Sequence, residues 1–530
     1  MTAGTGSRRL IAAALACLGL GVLPAASSLA APVPLSPANL SATGQNAEAP
    51  DVAVDAAGDT VAVWSRYNGT HDIVQSASRP AGGTWSAPVD LSVAGRNATE
   101  PQVALDGAGN AVAVWSRYDG ADYIVQASAR PAGRDWEQPL DLSTTGESAE
   151  APQVAIGPAG EAVAVWSRSD GANDIVQSAA RPLGGSWSPA VDLSLAGEDA
   201  GTAQVAIGPA GEAVAVWSRS DSGFNSLVQG SVRPQGGSWS PAVDLSQTGM
   251  IAEDPQVAVD PDGGAVAVWT SSDASPSVIQ SVTRPAGGPW GAPVRLSEVG
   301  RNSEEAQVAF GAAGDGAGVW TRDNGTHTIV QAIGFDGAGP QLRNLSIPAV
   351  ATMGQPVAFS VSPFDNWSAI ASTRWSLGGE GEVDGTAPTH VFPRPGAYDV
   401  TVTVTDALGR LSRSSATVTV FPKARAARNI KVKGKRAQLR VHCPSPAGCE
   451  GLAKLISAMK VVRGGRLVKK RLLIGKARFA IAGSTTATVP IRLSTPALAA
   501  VEEAGRHGIK AQLTGPGIKH RVVALFQSRR

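Results

Sequence analysis

The stretch Val61-Ala62-Val63-Trp64-Ser65-Arg66 decides the fold, because it returns almost unchanged along the chain. The same six residue types stand again at 112–117, 163–168 and 214–219. The tryptophans that mark the repeat are spaced 51, 51, 51, 52 and 51 residues apart: Trp64, Trp115, Trp166, Trp217, Trp269 and Trp320. A period of this length indicates a repeat architecture before any catalytic motif is considered.

Each unit contains four short runs with the pattern of β-strands, separated by turns that contain Gly or Pro. In the first unit these runs are 51–55, 60–66, 72–79 and 85–92. Four strands in about 50 residues correspond to one blade of a propeller. The sequence therefore predicts an all-β protein with a six-bladed β-propeller over residues 31–340, and a solenoid is the alternative.

The two ends of the repeat suggest how the ring closes. Residues 36–41 align with 87–92, so a fourth-strand sequence precedes the first unit. The sixth unit lacks the matching tryptophan where its own fourth strand would begin. We expect residues 33–41 to supply the missing strand of the last blade, which removes two exposed sheet edges.

A second tryptophan in five units follows a turn, which in the first unit reads Ser78-Arg79-Pro80-Ala81-Gly82-Gly83-Thr84-Trp85. This turn resembles the Asp-box of sialidase-like propellers, Ser-x-Asp-x-Gly-x-Thr-Trp, and it lies at the same place between the third and fourth strands. Every copy has proline at the position of the family's aspartate. The resemblance supports the fold and does not extend to activity.

Sialidase-like enzymes, as the resemblance implies, use three arginines, a Tyr/Glu nucleophilic pair and an acidic general acid/base from different blades. Such a site breaks the symmetry of the repeat. Here the arginines recur at equal positions, and no unique Tyr/Glu pair stands out from the repeat. We therefore favour a non-enzymatic protein, with a sialidase-like glycoside hydrolase as the alternative.

The repeated Trp-Ser-Arg segment has two interpretations. An aromatic face, a guanidinium and a carboxylate suit a sugar, so the segment is a candidate ligand-binding site. Alternatively, the tryptophan belongs to the core, because blades are covered on both faces by their neighbours. The candidate ligand-binding residues are Trp64, Arg66, Trp115, Arg117, Trp166, Arg168, Trp217, Arg219, Trp320 and Arg322.

No cofactor is expected, and no metal-binding motif is found in the sequence. His71 and His327 stand alone in matching loops, so no zinc site is indicated. Calcium on loop carboxylates is an unspecific alternative. Phosphate-binding loops and serine-nucleophile motifs are not found in the sequence either.

From Leu342 the period stops and alternating strands follow. Residues 341–422 resemble a PKD domain, an immunoglobulin-like β-sandwich. The matching residues are Trp375-Ser376-Leu377-Gly378, His390-Val391-Phe392, Pro395-Gly396-Ala397-Tyr398 and Val404-Thr405-Asp406, while Gly378-Gly379-Glu380 departs from the family's Gly-Asp-Gly. The resemblance implies a spacer, an adhesion module or a polysaccharide-binding module.

The N-terminus reads as a signal peptide over residues 1–30. Arg8 and Arg9 precede an apolar run that ends before Pro24, and small residues lead to Ala30. We expect cleavage after Ala30, export by either the general or the twin-arginine route, and loss of Cys17. The run is too short for a spanning helix and no later stretch is long enough, so no transmembrane anchor is expected.

Charge is divided unevenly along the chain. The formal net charge is +1, yet residues 423–530 hold 24 Lys and Arg against three acids. The preceding 422 residues carry a net charge of −20. The basic segment 423–530 is predicted to be a mainly-β domain, with a disulfide between Cys443 and Cys449 and a helix from an N-cap at Thr495 to a stop at Gly505.

These features predict a secreted or envelope-associated binding, adhesion or scaffold protein. The propeller and PKD-like modules present a surface to a polysaccharide, a cell-surface glycan or a protein. The basic domain associates with an anionic envelope polymer, and its attraction weakens as salt rises. Nucleic acid is not an expected partner, because the chain is exported and lacks a groove-reading motif.

Overall fold

The computed structural model describes residues 37–220, 225–272, 276–463 and 466–528. The signal peptide predicted over residues 1–30 lies outside the described residues. The described chain is almost entirely β-strand, with one α-helix. None of its helices has the length and apolarity needed to cross a membrane.

Six antiparallel groups of strands follow one another along residues 47–335, which we call the repeat region, and each group is called a sheet below. One parallel pairing, of Ser226 with Ile251, joins the fourth group to the fifth. The first three sheets contain β1 Ala47–Val54, β2 Thr60–Tyr67, β3 Asp72–Arg79, β4 Val89–Asp90; β5 Ala98–Leu105, β6 Ala111–Tyr118, β7 Tyr123–Arg130, β8 Leu140–Asp141; β9 Ala149–Ile156, β10 Ala162–Ser169, β11 Asp174–Arg181 and β12 Val191–Asp192. The other three contain β13 Ala200–Ile207, β14 Ala213–Ser220, β15 Ser226–Arg233, β16 Val243–Asp244; β17 Ile251–Val259, β18 Ala265–Ser272, β19 Val278–Arg284, β20 Val294–Arg295; β21 Ser303–Phe310, β22 Gly316–Asp323 and β23 Thr328–Phe335.

Successive sheets stack face to face, which explains why their second strands are apolar on both sides. Val61 and Val63 of the first sheet are fully buried against Trp115 of the second. Val165 and Val176 of the third sheet pack against Trp217 of the fourth in the same way. A strand covered on both faces needs a continuous apolar run, and the repeated Val-Ala-Val-Trp supplies it.

The row of sheets is propeller-like, but its two ends differ from its middle. Val52 and Val54 of the first strand are each 59% exposed, whereas the equivalent Val103 of the second sheet is 7% exposed. At the other end, Val330 in β23 is 73% exposed. Neither outer sheet is therefore covered as its neighbours are, and closure of the ring is not seen.

The strand expected to close the ring is absent from the described residues. Residues 33–36 lie outside the described chain, and residues 37–41 form no strand. Leu40 packs beside Trp64 of the first sheet, as Leu91 packs beside Trp115 of the second. The sixth sheet has three strands. The exchange of a strand between the two ends thus remains a prediction.

The turn between the third and fourth strands is fixed by proline and glycine. Gly83 N–H donates to the Pro80 carbonyl at 2.8 Å, and Gly82 has a φ of +69°. The neighbouring Ala81 N–H donates to the Asp59 carboxylate, 2.6 Å away in the turn between β1 and β2. The turn has Pro80 where the Asp-box has its aspartate. The carboxylate that contacts the turn comes instead from Asp59, in the turn between β1 and β2.

Residues 341–421 form three small sheets around one core. The strands are β24 Gln341–Ser346, β25 Val350–Thr352, β26 Pro356–Ala358, β27 Ser360–Phe364, β28 Ile370–Leu377, β29 Glu382–Asp384, β30 Thr389–Val391, β31 Gly396–Asp406 and β32 Leu411–Phe421. The largest sheet has the order β25-β32-β31-β28-β29. Trp375, Phe359 and Phe392 fill the core between the sheets.

The sixth sheet of the repeat region is joined to this unit by direct contacts. Arg410 Nη1 donates to Asp336 Oδ1 at 2.9 Å, and the Ser368 hydroxyl also bonds to the Asp336 carboxylate. The Trp367 ring lies so close to Gly334 that a Cβ there would clash with it. The junction therefore combines an ion pair with an aromatic contact.

The last unit is a strongly curved sheet with a helix beside its core. Its elements are β33 Arg425–Ala426, β34 Asn429–Lys433, β35 Arg436–His442, β36 Cys449–Arg463, β37 Arg466–Ile481, β38 Thr486–Arg492, α1 Thr495–Ala504, a 3-10 turn Gly505–His507, β39 Ile509–Thr514 and β40 Arg521–Gln527. The strand order is β38-β35-β34-β40-β39-β36-β37, and a bridge between Gly475 and Leu493 brings the two ends together.

Two predictions in this unit can be compared with the structure. Cys443 and Cys449 form a disulfide, as the sequence predicted. The helix ends at Gly505 as expected, but its N-cap is Ser494 and not Thr495. The shift places Pro496 at the second helical position, where its missing N–H is also harmless.

Candidate functional site

The repeated tryptophans form the interior of each unit. They are between 0% and 5% exposed, so their ring faces are not available to a ligand. In five units the indole N–H donates to a glutamine of the third strand at 3.2 Å: Trp64–Gln75, Trp115–Gln126, Trp166–Gln177, Trp217–Gln229 and Trp320–Gln331. A ligand-binding role for the segment therefore depends on its arginines.

An aspartate of the fourth strand orients the glutamine. In the second unit Gln126 Nε2 donates to Asp141 Oδ1 at 2.6 Å, which turns the amide oxygen toward Trp115. In the fifth unit Arg295 faces Gln280 in place of the aspartate. There the Trp269 indole N–H and the Gln280 amide oxygen both lack a hydrogen-bond partner within the described chain. The Trp-Gln-Asp relay is thus a built-in support of the repeat.

The arginines of the segment lie together at one edge of the sheets, where the second strand ends and the first begins. Arg117 faces Ala98 across the β5–β6 pair, and Arg168 and Arg219 have the same register with Ala149 and Ala200. We call this side of the repeat region the arginine edge and define it by Arg66, Arg117, Arg168, Arg219 and Arg322. In each of them the Nε atom is buried without a hydrogen-bond partner among the described residues.

The partners of these arginines come from the loop that precedes each unit. Arg168 pairs with Glu147 and Arg219 with Glu198, each 21 residues earlier. Arg66 Nη1 donates to Gln45 at the same offset, 2.7 Å away. Sequence analysis missed this offset, although the constant spacing of 21 residues was visible in the sequence.

The second unit breaks the pattern of pairing. The residue 21 positions before Arg117 is Arg96, which is exposed. Within the described chain the Arg117 guanidinium forms no hydrogen bond or ion pair. The guanidinium of Arg96 lies over Gly120, in the hairpin that follows Arg117. This unit therefore presents two arginines where the third and fourth units present a neutralised Arg-Glu pair.

The sixth unit also has an arginine at this offset, with a different outcome. Arg301 lies over Gly325 as Arg96 lies over Gly120. Arg322, however, is paired with Glu298 at 2.5 Å. In the second unit neither Arg96 nor Arg117 forms an ion pair among the described residues, although both lower the pKa of the nearby Asp119.

A bulge in each first strand adds strain at the same edge. The register shifts between Thr99 and Gln102 in the second unit, and Glu100 between them has a φ of +54°. The six bulge residues in this left-handed conformation are Ala49, Glu100, Ala151, Thr202, Asp254 and Glu305. Such strain costs on the order of 1–3 kcal/mol per residue and often accompanies functional sites.

Acidic residues form a cavity at this edge. Asp174, Asp199, Glu253 and Asp254 line a space of 220 Å³ together with serine and threonine hydroxyls. Burial raises the pKa of Asp174 above its ordinary 3.8, and the negative charges of Asp199 and Asp170 raise it further. Asp174 therefore takes up a proton more readily than a free carboxylate does, and the cavity offers acceptors to sugar hydroxyls.

A second cavity of 410 Å³ lies at the opposite edge, on the axis of the repeat region. It is lined by equivalent turn residues of units two to six, such as Leu105, Ile156 and Ile207. Its acidic lining residues are Asp106 and Asp260, from two different units. Equivalent lining residues of this kind do not provide the asymmetric cluster of acids and arginines that a sialidase-like centre requires.

Two of the three tyrosines of the repeat region use their hydroxyls within a hairpin. The Tyr67 hydroxyl donates to the Gly69 carbonyl at 2.8 Å, and the Tyr118 hydroxyl donates to the Gly120 carbonyl at 3.0 Å. Both bonds lie within a single hairpin, so these hydroxyls support turns.

Three carboxylates come together at the junction of the sixth sheet and the following unit. Asp336, Asp365 and Asp406 each place a ligand atom within 4.8 Å of the others. Carboxylate oxygens at this spacing can bind a hard cation such as Ca²⁺. In the structure the Arg410 guanidinium and the Ser368 hydroxyl bond to Asp336. No pattern in the sequence indicates this group, because its members are far apart in the chain.

The chain was compared with known proteins. The family model "PKD domain" matches residues 344–420, which confirms the PKD-like domain predicted from the sequence. A search of curated proteins found no match to the chain.

Solved structures similar to the chain include a lectin from Burkholderia pseudomallei, at 16% identity over 69% of this chain and 95% of that chain, with a TM-score of 0.38. An ulvan lyase, described as a polysaccharide lyase, is 11% identical over 53% of this chain and 77% of its own, with a TM-score of 0.38. A Hadza microbial sialidase is 13% identical over 54% of this chain and 65% of its own, with a TM-score of 0.35.

Proposed function

We propose that the protein is an exported, non-enzymatic binding protein that attaches to the cell envelope and holds an acidic carbohydrate at its arginine edge. In this proposal residues 31–340 form a closed six-bladed propeller, residues 341–422 act as a PKD spacer, and residues 423–530 associate with an anionic envelope polymer. The ligand-binding role falls to Arg66, Arg117, Arg168, Arg219 and Arg322, with Arg96 added in the second unit.

The observation that carries the proposal is the pair Arg96 and Arg117. Neither guanidinium forms an ion pair within the described residues, although the carboxylate of Asp119 lies near enough for both to lower its pKa. Guanidinium groups donate in a planar fork that matches a carboxylate. The exposed Arg96 and the half-buried Arg117 can therefore donate together to the carboxylate of a uronic acid.

The equivalence of the units supports binding over catalysis. Five of the six units offer one arginine at the same register, the fifth unit having Ser271 there, and repeated equivalent groups are what a multivalent glycan-binding surface uses. Two of the three tyrosine hydroxyls of the repeat region, those of Tyr67 and Tyr118, are bonded inside their own hairpins. A glycoside hydrolase would need two carboxyl groups on either side of one bond.

The charge distribution supports envelope attachment. Residues 423–530 carry 24 basic and three acidic residues. In the part of this segment that the structure describes, no Lys or Arg forms an ion pair, because all nine ion pairs of the structure lie at or before Arg410. Cationic surface of this kind attracts polyanions in a salt-dependent manner.

The proposal is tested by titrating the full-length mature protein with trigalacturonate and with neutral galactotriose. We expect Arg96→Gln and Arg117→Gln each to weaken binding of trigalacturonate by about tenfold or more. Arg134→Gln serves as the matched control, because Arg134 is exposed in the turn at the opposite edge. Equal losses in all three variants contradict the site.

A panel of aryl glycosides tests the hydrolase alternative in the same preparation. Turnover that a single substitution in the repeat region abolishes would overturn the non-enzymatic role. Unchanged, background-level release of the aryl group in every variant supports it.

A further inference from the structure

The β-strands β36 and β37 extend beyond the body of the C-terminal sheet. β36 pairs with β39 only through Lys454, Leu455 and Ile456. β37 meets β38 at the Gly475–Leu493 bridge. From Ala458 to Leu472 the two strands pair only with each other among the strands described, and we call the described residues of this stretch, 458–463 and 466–472, the basic arm.

Register places six cations of this hairpin on one face, while Lys470, opposite Met459, lies on the other. Lys454 lies opposite Lys476, and Lys460 lies opposite Lys469. Ala458 lies opposite Arg471 on the same face, because residues 454, 456, 458 and 460 alternate with the residues that face inward. The inward side is marked by buried Ala453, Leu455 and Ser457. The outer face of the hairpin therefore carries Lys454, Lys460, Lys469, Arg471, Lys476 and Arg478.

Like charges directly opposite one another destabilise a strand pair. The same arrangement recurs in the body of the sheet, where Lys433 faces Arg436 and Arg436 faces Arg492. Glu450 is the one acid in the strands of this unit. The fold thus holds several cation pairs in register without an internal counterion in the described chain, so the counterion has to come from outside.

The spacing of the cations selects the shape of the ligand. Residues two apart on a strand lie about 7 Å apart, so the stretch from Lys454 to Lys460 spans about 20 Å. Half-buried Ile456 and exposed Leu473 form an apolar rung between the two lysine pairs. Cations on either side of an apolar rung suit a linear chain whose sugar rings carry negative charge.

We infer that the outer face of β36 and β37, including the basic arm, is the surface that binds a linear anionic polysaccharide. This inference rests on the proposed function, which assigns polymer binding to residues 423–530 as a whole. It locates the binding surface on one face of the hairpin. The recognised chemistry is a row of anionic groups on successive sugars, either carboxylates or phosphates.

The test uses full-length mature protein that carries Arg96→Gln and Arg117→Gln, so that the arginine edge does not contribute. The probe is polygalacturonate, and a phosphomannan of similar length replaces the carboxylates with phosphates. In this background we compare the arm variant Lys460→Gln, Lys469→Gln and Arg471→Gln with the control variant Arg425→Gln, Arg506→Gln and Lys519→Gln. Both remove three exposed positive charges from the same unit.

We expect the arm variant to lose about tenfold or more in affinity and to show a shallower dependence on salt, while the control changes by less than about threefold. Because the arm variant removes repulsion, its unfolding temperature is expected to stay equal or rise, which separates lost binding from lost folding.

Equal losses in the two variants overturn the role of the hairpin and leave envelope attachment by net charge standing. Absence of binding to either polymer by the unsubstituted arm overturns both this inference and the attachment part of the proposed function. Tighter binding to phosphatidylglycerol vesicles or to duplex DNA than to either polysaccharide overturns the choice of ligand.

Discussion

Trp115 Nε1 donates a hydrogen bond to Gln126 Oε1, 3.2 Å away. The two buried residues face each other on adjacent strands of one sheet. Gln126 is held in turn by Asp141, so the indole, the amide and the carboxylate form a relay across three strands. The relay gives the buried indole N–H of the tryptophan a hydrogen-bond partner.

The first prediction concerns this relay. Replacing Gln126 with alanine leaves the Trp115 indole N–H buried without a partner and is expected to lower the free energy of unfolding by about 1–3 kcal/mol. Urea unfolding followed by tryptophan fluorescence measures the change. Gln138→Ala is the control, because Gln138 is exposed. An effect of similar size in both variants contradicts the role of the relay.

The second prediction concerns pH. Because the pKa of Asp174 is raised, the folded state binds its proton more readily than the unfolded state does. The free energy of unfolding therefore falls as pH rises from about 4 through the raised pKa. Asp174→Asn removes this dependence and is expected to gain stability relative to the natural protein between pH 4 and 7.

Melting temperatures across that range measure the effect, with Asp135→Asn in an exposed turn of the opposite edge as control. We expect the difference in melting temperature between Asp174→Asn and the natural protein to grow as pH rises. A difference that is constant with pH or that shrinks contradicts the prediction.

The third prediction concerns the junction between the sixth sheet and the PKD domain. Arg410→Gln removes the guanidinium that bonds to Asp336 and leaves Asp336, Asp365 and Asp406 close together without that charge. We expect repulsion among the carboxylates to loosen the junction and to speed cleavage by a protease within residues 337–342 by several-fold. The exposed Arg413→Gln variant should be cleaved at the natural rate. If the Arg410 variant is cleaved at the natural rate, the Arg410–Asp336 ion pair does not hold the junction together.

The fourth prediction concerns the disulfide. Cys443 and Cys449 are both buried and close a short loop with a sequence separation of 6. Replacing both with alanine is expected to lower the stability of the C-terminal unit by about 2 kcal/mol, chiefly through the unfolded chain. Calorimetry with and without a reducing agent measures it. The natural protein should respond to the reductant and the alanine variant should not.

Prediction from sequence worked where a pattern is repeated or local. The 51-residue period located the six sheets, the alternation around Trp64 was compatible with a core position, and the spacing of Cys443 and Cys449 allowed a disulfide. The left-handed residues at the bulges were missed, because alanine, threonine and glutamate carry no signal for a positive φ. The carboxylates of Asp336, Asp365 and Asp406 were missed because tertiary folding alone brings them together.

The number of cations in β36 and β37 can be read from the sequence, but the face of the hairpin on which each one lies cannot. A run such as Lys469-Lys470-Arg471 does not reveal its strand register, since one added residue reverses the side on which each lysine lies. Register depends on the partner strand, and the bulge between Leu455 and Ile456 sets it. The composition predicted that the surface of this unit is positively charged. The pairing of β36 with β37 shows which face of the hairpin carries the charge.

The Trp-Gln-Asp relay has a consequence for how the six copies can diverge. The complete relay stabilises the first four copies from inside, whereas Arg96, Glu147 and Glu198 stand in the loops that precede the copies. A substitution in such a loop changes the charge offered to a ligand and leaves the interior support untouched. Duplicated copies of this kind can acquire separate preferences one at a time, without a loss of stability at each step.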